Sequence, residues 1–62
     1  MSNIKDGMEL IELIEEHEDE LTNWERGFVD SMRVQLEADE PFITEPQLEK
    51  LQRICDRVTS KG

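Results

Sequence analysis

The chain contains a single cysteine, Cys55, a single histidine, His17, and no tyrosine. One cysteine cannot form a disulfide within the chain, and together with one histidine it cannot supply the four ligands of a structural zinc site. The three glycines, at positions 7, 27 and 62, are too scattered to form a phosphate-binding loop. We therefore expect no metal site, no cofactor, no catalytic residue and no enzyme activity.

Long apolar segments are also missing, since no run approaches the roughly 18 residues that would cross a membrane. The first residues lack the basic start and apolar stretch of a secretory signal peptide. With a single thiol, these features predict a cytoplasmic protein without a membrane partner. A chain of 62 residues predicts one domain, residues 1–62, with a small core, so a homodimer with a shared core is a second prediction.

Acidic residues dominate the chain, whose formal net charge is −9. They are concentrated in residues 1–20, which carry eight acids and one base, whereas residues 41–62 carry three acids and four bases. Long-range repulsion opposes direct binding to nucleic acid. The charge therefore favours a protein partner with a basic surface.

The periodicity of the apolar residues predicts an all-α, three-helix domain with helices at about 7–19, 23–38 and 45–58. Each helix begins with a capping-box pattern: Asp6 with Glu9, Thr22 with Glu25, and Thr44 with Gln47. The predicted core consists of Leu10, Ile11, Ile14, Leu21, Trp24, Phe28, Val29, Met32, Leu36, Ile43, Leu48, Leu51, Ile54, Cys55 and Val58.

We expect the hairpin of the second and third helices to be the better specified part of the fold. The first helix either packs on it or pairs with another subunit, and it should fray where its last acids oppose the helix dipole. Gly27 predicts close packing against another helix. Trp24 continues the apolar stripe of Phe28 and favours the core, the alternative being an exposed binding anchor.

Two charged surfaces are candidate sites. The candidate partner-binding residues are Glu12, Glu15, Glu16, Asp19, Glu20 and Trp24. The second surface is a basic stripe on the third helix at intervals of three and four residues, a candidate for nucleic-acid contact or self-association: Lys50, Arg53, Arg57 and Lys61. A metal site could be drawn from His17 with neighbouring acids, but a solvated histidine is the favoured interpretation.

The region Leu21 to Val58 resembles a short helical-hairpin module of phage and prophage small proteins and of phage replication and recombination proteins. The matching residues are Leu21-Thr22-x-Trp24-Glu25-x-x-Phe28-x-x-Ser31, then Leu36, then Ile43-Thr44-x-x-Gln47-x-x-x-Leu51-x-x-Ile54-x-x-Arg57-Val58. The resemblance implies an accessory protein of the bacterial host cytoplasm that modulates a protein of DNA replication, recombination or repair. The connection departs from the pattern, because it is acidic where related modules are basic.

Two alternatives remain at this point. The acidic face could mimic nucleic acid and inhibit a host defence nuclease, in the manner of anti-restriction or anti-CRISPR proteins. The basic stripe could instead bind nucleic acid weakly.

Overall fold

A computed structural model describes residues 3–60. Within this range the chain forms three α-helices, α1 (Asn3–Glu15), α2 (Asn23–Glu37) and α3 (Glu45–Thr59), with a 3₁₀ turn (Glu18–Glu20) between α1 and α2. The described part of the chain has no strand. The predicted all-α, three-helix fold is therefore confirmed, and no helix in residues 3–60 is long and apolar enough to span a bilayer.

Side-chain caps fix where α2 and α3 begin. The Thr22 hydroxyl accepts a hydrogen bond from the Glu25 amide at 3.1 Å, and the Glu25 carboxylate accepts one from the Thr22 amide at 2.9 Å. Thr44 and Gln47 form the same reciprocal pair at the start of α3. Each box satisfies backbone donors that have no partner within the helix, so both helices keep their predicted bounds to within one residue.

The first helix lies four residues earlier than the sequence predicts. It begins at Asn3, so Asp6 belongs to its first turn and is not its N-cap. Ile4 and Met8 are partly buried against the core, and this packing stabilises a turn that the capping signal excludes. At the other end, the amides of Glu16 and His17 donate to carbonyls three residues back, which ends the α-helix before the 3₁₀ turn.

The core contains ten buried apolar residues, and all ten are among the predicted ones: Ile11, Ile14, Leu21, Val29, Met32, Leu36, Leu51, Ile54, Cys55 and Val58. The first helix packs on the other two, which is the first of the two arrangements that the sequence left open. The backbone of α1 lies close to both α3 and α2, most extensively to α3, and α2 and α3 approach each other less closely. The first helix is therefore the central packing element of this chain.

Gly7 explains how α1 comes so close to its neighbours. It is buried, and a Cβ atom at this position would lie 3.0 Å from Cδ1 of Ile43 and 3.1 Å from Cδ1 of Leu36. At Gly27, where the sequence predicts close packing, a Cβ atom would meet no described heavy atom within 4 Å. The close-packing prediction is therefore wrong for Gly27, and the close approach occurs instead at Gly7, for which the sequence did not predict it.

Trp24 is also misplaced by the sequence prediction, since 59% of its surface is exposed. The buried face of α2 is formed by Val29, Met32 and Leu36, and Phe28 lies at its edge. Trp24, one turn before Phe28, therefore falls outside the core. Its exposure matches the alternative interpretation, in which it is available to contact a partner.

Candidate functional site

The predicted acidic face is divided among three pieces of backbone. Glu12 and Glu15 belong to α1, Glu16 follows its last residue, and Asp19 and Glu20 lie in the 3₁₀ turn. These residues therefore do not form the single helical stripe that a helix at 7–19 would have produced. The acids do remain together at one end of α1 and in the turn that follows it.

Some of these carboxylates are engaged within the chain. Arg33 of α2 donates from Nη1 to the Glu15 carboxylate and from Nε to Glu37 at 3.3 Å. These hydrogen bonds, with that to Glu15 the stronger cause, raise the pKa of Arg33. Glu20 lies 3.4 Å from Nδ1 of His17. Glu15 therefore helps to hold α1 against α2, whereas the contact between Glu20 and His17 lies within the 3₁₀ turn and its N-cap.

The other acids of this set point to solvent. Glu12, Glu16 and Asp19 are exposed, and none has an ion pair or side-chain hydrogen bond with another described residue. They are therefore the members of the predicted set that no described cation contacts and that are exposed to a partner.

Trp24 lies beside cations rather than beside these acids. Its ring stacks on Phe28, with 5.3 Å between ring centroids and 6° between planes, and Nζ of Lys50 lies 5.1 Å from the centroid of a Trp24 ring. Trp24, Phe28, Lys50 and Arg53 line a shallow depression between α2 and α3, which we call the Trp24 groove. The structure thus joins Trp24 to the predicted basic stripe.

The basic stripe is used largely for contacts within the fold. Arg57 donates from Nη2 to the Glu25 carboxylate at 2.5 Å and to the Glu20 carbonyl at 3.2 Å. Arg53 lies 3.9 Å from Glu49. Lys61, the last member of the predicted stripe, lies outside the described residues.

Phe28 and Lys50 both contact the Trp24 ring, so they compete with a base that would stack on it. Base stacking on exposed aromatic rings is a main source of affinity for single strands. The geometry of the Trp24 groove therefore favours nucleic-acid binding less than the sequence of the stripe does.

A second depression, which the sequence does not single out, runs between α1 and α3; we call it the α1–α3 groove. Its apolar side chains are Leu10, Leu13 and Leu48, and Leu13 is 44% exposed. Asp6 and Glu9 stand at its edge. Only the position of α3 reveals that Leu13 borders a groove.

Neither Cys55 nor His17 belongs to either groove. Cys55 is buried, and burial, followed by the charge of Asp56, raises the pKa of its thiol, so the thiolate is disfavoured. Cys55 therefore packs as a small apolar residue, as predicted. Within residues 3–60, no cluster of three or more His, Cys, Asp or Glu side chains is arranged to hold a metal ion.

Comparison with protein-family models, with curated proteins and with solved structures finds no match to this chain.

Proposed function

We propose that this chain is a non-catalytic binding protein whose partner presents a basic surface. The observation that carries this proposal is the exposure of Glu12, Glu16 and Asp19 without a partner cation among the described residues. Like charges crowded on adjacent turns repel one another, and a cationic partner would relieve that repulsion. Such a surface speeds encounter with a basic partner and makes binding sensitive to salt.

The use of the arginines supports the same proposal. Arg33 contacts Glu15 and Glu37, Arg57 contacts Glu25, and Arg26 donates to the Glu18 carbonyl at 3.2 Å. These arginines therefore contact carboxylates and a carbonyl of the fold itself. No described cation contacts the outward acids Glu12, Glu16 and Asp19. The asymmetry leaves a negative surface at the α1 end and the 3₁₀ turn.

The resemblance of Leu21 to Val58 to a phage hairpin module supplies the class of partner. On that basis we propose an accessory protein that modulates a component of DNA replication, recombination or repair in a bacterial cytoplasm. Modulation requires only that the bound chain cover a basic surface of its partner. No chemical step by this chain is involved.

The test is capture of partners from a bacterial lysate with immobilised protein. We expect Glu12→Lys with Glu16→Lys to lose the captured partner, because the double reversal changes the net charge by +4 on the outward surface. The matched control is Asp39→Lys with Glu40→Lys, which makes the same change in the exposed connection between α2 and α3. Equal capture by the wild type and the α1 variant would contradict the proposal.

Nucleic-acid mimicry by the same carboxylates is separated by competition. A mimic occupies the nucleic-acid groove of its partner, so duplex DNA should displace the captured partner from the immobilised chain. A ternary complex of chain, partner and DNA would instead place the contact on another basic surface of the partner.

A further inference from the structure

The α1–α3 groove combines an apolar floor with a rim of one charge. Leu13 is 44% exposed, and Leu10 and Leu48 are half-buried beside it. A neighbouring depression shares Leu48 and Gln52 with this groove and extends it along α3. The apolar side chains therefore form a strip along two packed helices and not an isolated surface leucine.

The charged groups that line this extended groove are all acidic: Asp6, Glu9, Glu45 and Glu49. Asp6, Glu9 and Glu45 have no ion pair or side-chain hydrogen bond with another described residue, and Glu49 lies 3.9 Å from Arg53. Among the described residues, no lysine or arginine lines the groove. An occupant must therefore cover leucine side chains and bring positive charge to the rim.

We infer that the α1–α3 groove binds a basic amphipathic helix of the partner. A helix with leucine-like residues at intervals of three and four presents a single apolar stripe, which can lie along Leu10, Leu13 and Leu48. Lysine or arginine residues flanking that stripe would then reach Asp6 and Glu9 on one side. This inference rests on the proposed function, and it specifies which element of the basic partner docks and where.

A second copy of this chain meets these requirements less well. Of its seven lysine and arginine residues, Lys50 and Arg53 flank the Trp24 groove, where Lys50 already lies over the indole ring. Each copy also carries a net charge of −9, which opposes the approach of two copies. Charge complementarity therefore favours a foreign basic helix.

The probe is a synthetic leucine–lysine peptide of about 18 residues with its leucines on one helical face, long enough to fold on the protein. Binding is measured by titration calorimetry at low and moderate salt. Leu13→Ser should weaken binding by roughly tenfold or more, since it removes the exposed apolar anchor. The matched control is Val34→Ser, a change at a 72% exposed apolar residue of α2 outside the groove, which should leave affinity within about twofold.

Two further peptides separate apolar docking from charge attraction. A peptide of the same composition with scrambled leucines, and one with serine in place of leucine, should both bind at least roughly tenfold more weakly. If either bound as well as the amphipathic peptide, the attraction would be electrostatic alone and the groove inference would be overturned.

Nuclear magnetic resonance of the wild-type chain locates the peptide without any substitution. We expect the methyl signals of Leu10, Leu13 and Leu48 to shift, and the indole signal of Trp24, the only tryptophan, to stay in place. A shift at Trp24 without one at Leu13 would overturn the inference.

The outcomes also separate this inference from the proposed function. Peptide binding that is lost in the Glu12→Lys, Glu16→Lys variant but unaffected by Leu13→Ser would overturn the groove inference and support the proposed function. Failure of the wild type to bind the peptide would likewise overturn the groove inference. Lysate capture would still decide whether the outward acids bind a partner.

Discussion

Apolar side chains are accessible on both flanks of α3, but among the described residues cations line only the flank beside α2. Beside α2, the exposed ring of Trp24 is accompanied by Lys50 and Arg53. Beside α1, Leu13 is accompanied by Asp6 and Glu9. On the first flank Lys50 lies over the ring and Arg53 lies 3.9 Å from Glu49. On the second flank the carboxylates near Leu13 have no described ion pair.

This difference separates charges that build the fold from charges that remain available. Arg57 joins α3 to Glu25 of α2 and to the carbonyl of Glu20, so removing it disturbs contacts between elements distant in sequence. Removing Glu9 or Glu12 disturbs no described side-chain contact. Loss of Arg57 should therefore lower the stability of the domain, whereas loss of Glu9 or Glu12 should not.

The largest expected effect tests whether the buried residues of α3, which lie between its two flanks, form the core of the domain. Leu51 is fully buried, and Leu51→Ala should cost about 2–5 kcal/mol of stability through lost burial and the cavity left behind. At ~0.05–0.15 kcal/mol per residue, a domain of this size has only about 3–9 kcal/mol in total. Urea denaturation should therefore show that Leu51→Ala has lost a large fraction of the stability of the domain.

Trp24→Ala is the control for that substitution, since it removes a larger side chain that is mostly exposed. It should cost about 0.5–1.5 kcal/mol, chiefly the stacking with Phe28. Losses of equal size for the two variants would mean that Trp24 belongs to the core after all.

A smaller effect tests the close approach of α1 to its neighbours. Gly7→Leu places a side chain where even a Cβ atom lies 3.0 Å from Ile43 and 3.1 Å from Leu36. Overpacking of this kind should cost about 1–3 kcal/mol. Thermal unfolding followed by circular dichroism gives the value.

Gly27→Ala provides the opposite sign, because no described atom lies near its Cβ position and alanine is favoured over glycine within a helix by up to about 1 kcal/mol. If Gly27→Ala destabilised the domain and Gly7→Leu did not, the roles assigned to the two glycines would be reversed.

The contrast between the glycines shows what the sequence could and could not provide. Capping boxes are local, so Thr22 and Thr44 gave the starts of α2 and α3 correctly. The start of α1 depends on the tertiary contacts of Ile4 and Met8, which no local signal contains. The sequence contains both glycines, but only the arrangement of helices distinguishes the buried one from the exposed one.

The same limit applies to the candidate surfaces. Counting acids predicted a negative face, but the ion pair of Arg33 with Glu15 joins residues 18 apart and that of Arg57 with Glu25 joins residues 32 apart. Pairs at such separations depend on how the helices pack, so which carboxylates stay unpaired could not be predicted. For the same reason, helical spacing alone placed Trp24 in the core and missed the groove beside Leu13.

The smallest expected effect compares a carboxylate that has contacts within the fold with one that faces outward. Glu25 belongs to a capping box and accepts a hydrogen bond from Arg57, and its side chain is only 14% exposed. Glu25→Gln keeps its size and much of its hydrogen bonding but removes the charge, and it should cost about 1 kcal/mol in urea denaturation at low salt. Glu12→Gln, on the outward surface, should instead stabilise the domain by about 0.2–0.5 kcal/mol, because Glu12 lies three residues from both Glu9 and Glu15 in α1 and like charges at that spacing repel one another. High salt should shrink the second effect more than the first, since exposed charges are screened more than partly buried ones. A loss of stability in both variants would mean that Glu12 also supports the fold. The distinction between carboxylates that stabilise the fold and carboxylates that are available to a partner would then be wrong.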